Sequence, residues 1–261
     1  MKILALESSA KPCSCAVVSG NTLLGQYFQN TKLTHSRTLL SMTEALLKNL
    51  EMSLADIDLV AVSRGPGSFT GVRIGVSAAK GLAWGADIPI CGVSTLEAMA
   101  YQTVGSFFSA DMMLKHSADT VSKLCAADSA LSVFNTNSST LICPVMDARR
   151  DQVYNALFEY HNDKPRRLCE DRALSLEELA GELNSKNAPC LLVGDGADIS
   201  YEYLKSEGVD CHVAPMLMRY QTAYGVALSA ADNKAISAIE LEPSYLRPSQ
   251  AERMRSATPN N

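Results

Sequence analysis

Arg64-Gly65-Pro66-Gly67-Ser68-Phe69-Thr70-Gly71-Val72-Arg73 decides how this chain is read. It follows the apolar run Leu59-Val60-Ala61-Val62 and leads into Gly75-Val76-Ser77-Ala78-Ala79-Lys80-Gly81-Leu82-Ala83-Trp84, which has helical patterning. The order is therefore strand, tight turn, helix. Three glycines and a proline force the turn into an unusual backbone path. The helix start leaves N–H groups without intrahelical partners. Two uses compete: an anion site at the helix N-terminus, or a turn that lets a small-faced helix meet a partner closely. Gly71, Gly75 and Ala79 recur every four residues and share a face, with Ala78 and Leu82 beside them. A glycine inside a helix costs roughly 1 kcal/mol against alanine, so glycines at 75, 81 and 85 point to close approach of another backbone. That backbone belongs either to this chain's own sheet and first helix or to a second protein, and the pattern alone weighs the two equally.

Working outward, Lys2 to Leu6 reads as a buried strand ending in the polar loop Glu7-Ser8-Ser9. Pro12 to Val18 and Thr22 to Phe28 flank Ser19-Gly20-Asn21, a hairpin signal. Leucines at 39, 40, 46, 47 and 50 place a helix over 36–50. Ile88 to Val93 gives another strand, and Ser94-Thr95-Leu96-Glu97 is a capping-box pattern opening a helix through Tyr101. The order βββ-α-β-α-β-α implies an α/β protein, a mixed sheet with helices on its faces. The second half repeats the plan less clearly: strands over 141–146 and 152–159, a helix over 174–183, a strand over 188–193 running into Gly194-Asp195-Gly196-Ala197, a helix over 199–206, a short strand over 211–213 and a last long helix over 216–231. The chain divides into a first lobe at 1–102, which the last helix helps complete, an insertion or linker at 103–140 with a helix around 119–127, a second lobe at 141–250, and a flexible tail at 251–261.

Composition sets outer bounds. At 261 residues with 47% apolar and 20% charged residues the chain reads as soluble and globular. A net charge of -5 disfavours broad gripping of a nucleic-acid backbone. Eight cysteines are scattered without a C-x-x-C, several in apolar runs, and the one close pair, Cys13 and Cys15, has the alternation that sends both to one strand face. They read as reduced, buried thiols of a cytoplasmic protein. Met1 to Glu7 turns acidic too early for a signal peptide, and no apolar run approaches membrane-spanning length.

The usual catalytic patterns are missing. His35, His116, His161 and His212 stand apart, with no H-E-x-x-H, no G-x-S-x-G and no lysine closing a phosphate loop. Of these, His35 at the start of the first long helix invites attention. Two weaker signals, Glu7-Ser8-Ser9 and Gly194-Asp195-Gly196-Ala197, end strands in corresponding places of the two halves. They are candidate phosphate or nucleotide loops.

The 64–75 stretch, with Lys80-Gly81-Leu82-Ala83 after it, closely resembles the signature of the bacterial TsaB proteins, also called YeaZ. The strand-one motif, His35-Ser36, Val93-Ser94-Thr95-Leu96-Glu97-Ala98, Met146 to Tyr154, Gly194 to Ala197 and Tyr245-Leu246-Arg247 fall in the same order as in that family. The resemblance implies a two-lobed fold of the actin-like and sugar-kinase-like (ASKHA) kind. It also implies a non-catalytic role in making threonylcarbamoyladenosine next to the anticodon of tRNA. The implied partners are a catalytic subunit, TsaD, which carries the metal, and an ATPase, TsaE, with tRNA held only indirectly and no membrane. The implied contact runs through first-lobe helices, here His35, Leu39, Leu46, Gly71, Arg73, Gly75, Ala79 and Leu82, and the same surface supports a homodimer. No cofactor is tightly bound and no metal is held; ATP or ADP would sit at the interface with the catalytic partner. Glu7-Ser8-Ser9 departs from the aspartate-threonine usual in the family. The alternatives are a glycoprotease-like metallopeptidase and a small-molecule kinase of the same superfamily.

Overall fold

The computed structural model describes residues 1–116, 140–149 and 151–247, except for the side chains of 107–116 and 217. The helix expected around 119–127, Cys125 and the tail at 251–261 lie outside the described residues. The first lobe holds β1 (Lys2–Glu7), β2 (Cys13–Ser19), β3 (Thr22–Gln29), α1 (His35–Asn49), β4 (Leu59–Ser63), α2 (Phe69–Ala86), β5 (Ile90–Val93) and α3 (Thr95–His116), the order read from sequence. Its sheet runs β3-β2-β1-β4-β5, with β1, β4 and β5 parallel and the β2 and β3 pairings antiparallel.

The second lobe contains β6 (Leu141–Asp147), β7 (Gln152–Asn155), β8 (Phe158–His161), β9 (Lys164–Arg167), β10 (Arg172–Ser175), α4 (Leu176–Lys186), β11 (Cys190–Val193), α5 (Ala197–Ser206) and β12 (Cys211–Val213). Two further helices follow, α6 (Met216–Arg219) and α7 (Ala223–Asp232). Here β6, β11 and β12 form a second parallel trio with an antiparallel hairpin beside it. The two sheets thus carry the same core, and the whole has the two-lobed plan of actin-like and sugar-kinase-like proteins.

Five layers result. Helices α1 and α2 cover the outer face of the first sheet, burying Leu39, Leu46, Val72, Val76 and Ala83 against Leu4, Leu6 and Val62. Helix α7 covers its inner face through Ala223, Val226, Ala227 and Ala230. Helix α3 lies beside α7 and turns Leu96, Met99, Ala100 and Val104 onto Ile142, Met146 and Phe158 of the second sheet. Helices α4 and α5 close the far side. Cys13 and Cys15 do share a face, in the core under α1, and the seven cysteines among the described residues are free thiols.

Four expectations need correcting. The strand expected over 152–159 is two strands. Pro144 of β6 offers no N–H to the ladder, and the buried Asn155 amide instead donates to Pro144 O and Ala156 O, breaking the run at Ala156. The long helix expected over 216–231 is divided at Tyr220–Thr222, because the buried Gln102 amide of α3 donates to the Met218 and Tyr220 carbonyls and Gln102 Oε1 accepts from Thr222 Oγ1. The lobe boundary placed at 102 falls inside α3, whose apolar face continues to Val104. Residues 233–247, assigned with the rest of 141–250 to the second lobe, form a strap along the first lobe: Ile236 pairs with Ile90 at the edge of β5, and Leu241 is buried in the core. The hairpin β8–β9 was missed altogether; its turn uses Asn162 and Asp163, both at positive φ.

Candidate functional site

The carboxyl ends of β1, β4, β6 and β11 meet at a cleft between the lobes, of about 930 Å³. Ser9, His35, Gly67, Ser68, Thr70, Asp147, Arg149, Asp195, Tyr245 and Arg247 line it. The candidate loops divide there. Ser9 and Asp195 reach the cleft, whereas Glu7 and Ser8 lie buried beneath it and Gly194, Gly196 and Ala197 serve the turn into α5. Nor do the two loops correspond. Gly194–Ala197 follows β11, the middle strand of the second trio's order β6-β11-β12, and its counterpart is the signature turn after β4; Glu7–Ser9 matches the Asp147–Arg149 turn after β6.

The signature turn is tied to its own chain at three points. Ser68 N–H donates to Ser9 O (2.6 Å), Ser244 N–H to Arg64 O (2.7 Å) and Thr95 N–H to Gly65 O (2.9 Å). The Ser68 hydroxyl caps α2 by accepting from Gly71 N–H. Gly65 sits at φ +116, where a side chain is strained, and a Cβ there would overlap Ser244 O. Along α2, a Cβ on Gly71 would overlap Ser8 O and one on Gly75 would overlap Ser8 Oγ. Ser8 Oγ in turn donates to Gly71 O at 2.9 Å. The small face at Gly71, Gly75 and Ala79 is therefore the seat of the β1 loop inside the fold, not a free docking surface, and Leu39 and Leu46 are likewise core residues. Leu82 is half-buried against the same core. His35 lines the cleft, its Nε2–H donating to Ala10 O at 2.7 Å while its buried Nδ1 has no partner. Arg73 stays at the surface but is engaged: its guanidinium lies 3.8 Å over the Phe69 ring, and its Nε donates to Tyr245 Oη.

What α2 leaves uncovered is the opposite stripe. Ser77, Gly81, Trp84 and Gly85 are exposed, Trp84 to 79%, and a Cβ at 81 or 85 meets nothing within 4 Å. Leu40 of α1 is also exposed, and Ile74 and Ala78 are half-buried between. Gly81 and Gly85 of this stripe stand out in the sequence as helix-interior glycines, but the four-residue spacing of Gly71, Gly75 and Ala79 assigns the contact to the buried face and leaves Ser77 and Trp84 out.

Two carboxyls in and beneath the cleft, Asp195 and Glu7, are perturbed. Burial pushes Asp195 up, offset by the Gln221 amide that donates to it and reinforced by Asp147 across the turn. Burial also pushes Glu7 up, opposed by the Ser9 backbone N–H that donates to it. Its Oε1 accepts from Ser9 N–H (2.6 Å), while its Oε2 and Ser63 Oγ lack partners. A raised native pKa means the proton's stabilising contribution is complete below the ordinary value of 4.5 and is lost as pH rises through the native pKa. Glu7→Gln keeps the acceptor without the charge. It will raise the thermal midpoint at pH 8, and the gain will vanish below pH 4.5. Melting curves of both proteins across that range are the check, and a gain that does not depend on pH would refute the account.

Among the described residues no three His, Cys, Asp or Glu side chains are placed to hold a metal together, and no helix is long and apolar enough to cross a membrane. The fold and cleft define the class: a two-lobed α/β protein of the ASKHA plan whose signature turn is closed by its own chain. Comparison with known proteins narrows it. The chain is 29% identical over 253 residues to the tRNA threonylcarbamoyladenosine biosynthesis protein TsaB of Bacillus subtilis, covering 97% of this chain and 96% of that one. It is 29% identical over 257 residues to the Haemophilus influenzae protein of the same description, covering 95% and 94%. A family model described as TsaD, tRNA N6-adenosine threonylcarbamoyltransferase, matches residues 23–119. In fold it is similar to a solved Pseudomonas aeruginosa protein described as resembling peptidase YeaZ, with a TM-score of 0.69 and 22% identity over 94% of this chain and 99% of that one. Along nearly its whole length the chain is therefore similar to the TsaB (YeaZ) proteins.

Proposed function

We propose that this chain is a non-catalytic subunit in the synthesis of threonylcarbamoyladenosine on tRNA, and that it works by docking a TsaD-type catalytic subunit on the outer face of α1 and α2. The reading of the pathway rests on the full-length similarity to proteins named for that biosynthesis. The reading of the surface rests on one observation: a helix stripe of Ser77, Gly81, Trp84 and Gly85 that none of the described residues covers. A largely exposed tryptophan costs solubility and is a residue type that dominates binding energy once buried at an interface. Open glycines either side of it let a partner helix come close. The TsaD model matches the segment that includes α1 and α2, so a TsaD-type chain offers a related helix pair, and the two can meet about a pseudo-twofold axis as copies of one chain do. A TsaE-type ATPase joins the assembly.

Gly81→Arg tests the surface. It replaces a glycine with a better helix former in open space, so the fold keeps its stability or gains roughly 1 kcal/mol. The arginine fills the room a partner helix needs. Titration against the purified TsaD-type subunit of the same organism will show affinity falling about a hundredfold, as will Trp84→Ala. Wild-type affinity in both variants would remove the surface from consideration.

A further inference from the structure

We propose that the two lobes are locked at a fixed opening by a pair of ionic latches behind the cleft, so that the cleft keeps its width rather than closing. The apolar contact of α3 with the second sheet is non-directional, and such packing permits small sliding motions. Directional contacts sit on top of it. At the start of α3, Ser94 Oγ donates to Asp171 Oδ2 at 2.5 Å, and Ser94 Oγ also accepts from Glu97 N–H at 3.2 Å. Arg167 of β9 reaches into the same cluster: Nη1 donates to Asp171 Oδ1 at 2.7 Å and to the Cys169 carbonyl at 3.2 Å, and Nη2 lies 3.7 Å from Glu97 Oε2. The guanidinium plane is backed by the Phe158 ring at 4.7 Å. Arg167, Glu97 and Asp171 side chains are only 25%, 25% and 19% exposed, so solvent screens them far less than an ordinary surface pair. One turn along α3, Tyr101 Oη donates to Asp232 Oδ2 at 2.8 Å and Lys164 Nζ to Asp232 Oδ1 at 2.7 Å.

Ser94, Glu97 and Tyr101 occupy one face of α3, and Asp232 ends α7; Lys164, Arg167 and Asp171 belong to the second lobe. Both clusters therefore cross between lobes. Two directional contacts one helical turn apart fix rotation as well as separation, which neither fixes alone. Motion of the lobes about α3 would have to break both together. At the front, Arg247 Nη1 donates to Ala148 O and carries the strap across to the second lobe. The lock concerns the isolated chain and stands apart from which partner docks on α1 and α2.

Arg167→Met combined with Asp232→Asn weakens both latches at nearly constant volume: the first keeps only its Ser94–Asp171 bond, and the second loses its charge and one of its two acceptor oxygens. Hydrogen exchange and small-angle scattering of the full chain, wild type and double variant, read the result. In the variant, exchange will quicken about tenfold or more in the first turn of α3 and in β8–β9, the strand cores of both sheets will stay protected, and the radius of gyration will increase. In the wild type, neither signal will move when ATP is added. If the double variant does not fold, Glu97→Gln, which removes the charge that faces Arg167 in the first latch, is read the same way. Exchange and scattering identical to wild type would overturn the lock, as would a uniform rise in exchange through both sheets, which means global destabilisation, or a wild-type protein that compacts on adding ATP.

Discussion

Gly71→Val will lower the stability of the whole chain by about 3 kcal/mol or more, a penalty of the size that overpacking and backbone displacement produce. The new Cβ has nowhere to go: Ser8 O lies in its place, and Ser8 is fixed by its own hydroxyl bond to Gly71 O and by the strand it ends. Relief requires α2 to lift from β1, which opens the core around Leu6, Val62, Val72 and Val76. Urea titration will show an earlier midpoint with little change in slope. Gly81→Ala, on the other side of the same helix, will shift the midpoint the opposite way by roughly 1 kcal/mol, because only helix propensity changes there. Equal midpoints for wild type and Gly71→Val would contradict the packing described. The contrast also separates folding from docking, since loss of partner binding in a Gly71 or Gly75 variant reports an injured fold rather than a lost contact.

How far the sequence carried depends on the kind of signal. The first lobe was legible element by element, because α1 and the Lys2–Val62 strands carry unbroken periodicity and the Ser19-Gly20-Asn21 turn is chemically explicit. The signature turn was legible as strand, turn and helix, but not in its purpose. A small-residue stripe states that something comes close without naming what; only the position of Ser8 decides it. The misreadings of the second half share a cause. The breaks at Ala156 and at Tyr220 are imposed by single buried amides, Asn155 and Gln102, whose partners lie far off or across a strand and leave no trace in local pattern. The short strand β9, Lys164-Pro165-Arg166-Arg167, reads as a charged turn, since an edge strand carries just the proline and charges that argue against a strand. Arg167 and Glu97, seventy residues apart, could not be paired by spacing. In the cleft, Ser9 and Asp195 were named from sequence, while Arg149, Tyr245 and Arg247 were seen only as family-like motifs without a place.

The strap gives the other large effect. Leu241→Ala will destabilise the chain by about 2–4 kcal/mol, the range for truncating a buried leucine. The side chain is 1% exposed, it joins the core with Val60, Ile90 and Ala83, and a Cβ on Gly92 would run into it, so the pocket is built around it. Lys80 Nζ donates to the Leu241 carbonyl at 2.9 Å and to that of Ile239 at 3.2 Å, which fixes the strap against α2. Three residues on, Ser244 N–H holds Arg64 O, and next to it Tyr245 stacks on Phe69 at 4.8 Å. Loosening Leu241 therefore loosens the signature turn. Hydrogen exchange will show the loss reaching Gly65 to Ser68 and the β5 edge at Ile90, which pairs with Ile236, while β6 and β11 in the other lobe keep their protection. Lys80→Met should reproduce the local exchange pattern with a smaller stability loss, because it removes the pin and leaves the apolar anchor. If Leu241→Ala lowers stability but leaves Gly65 to Ser68 as protected as in the wild type, then the turn is held by Ser9 and Thr95 alone and the strap is only a covering for β5.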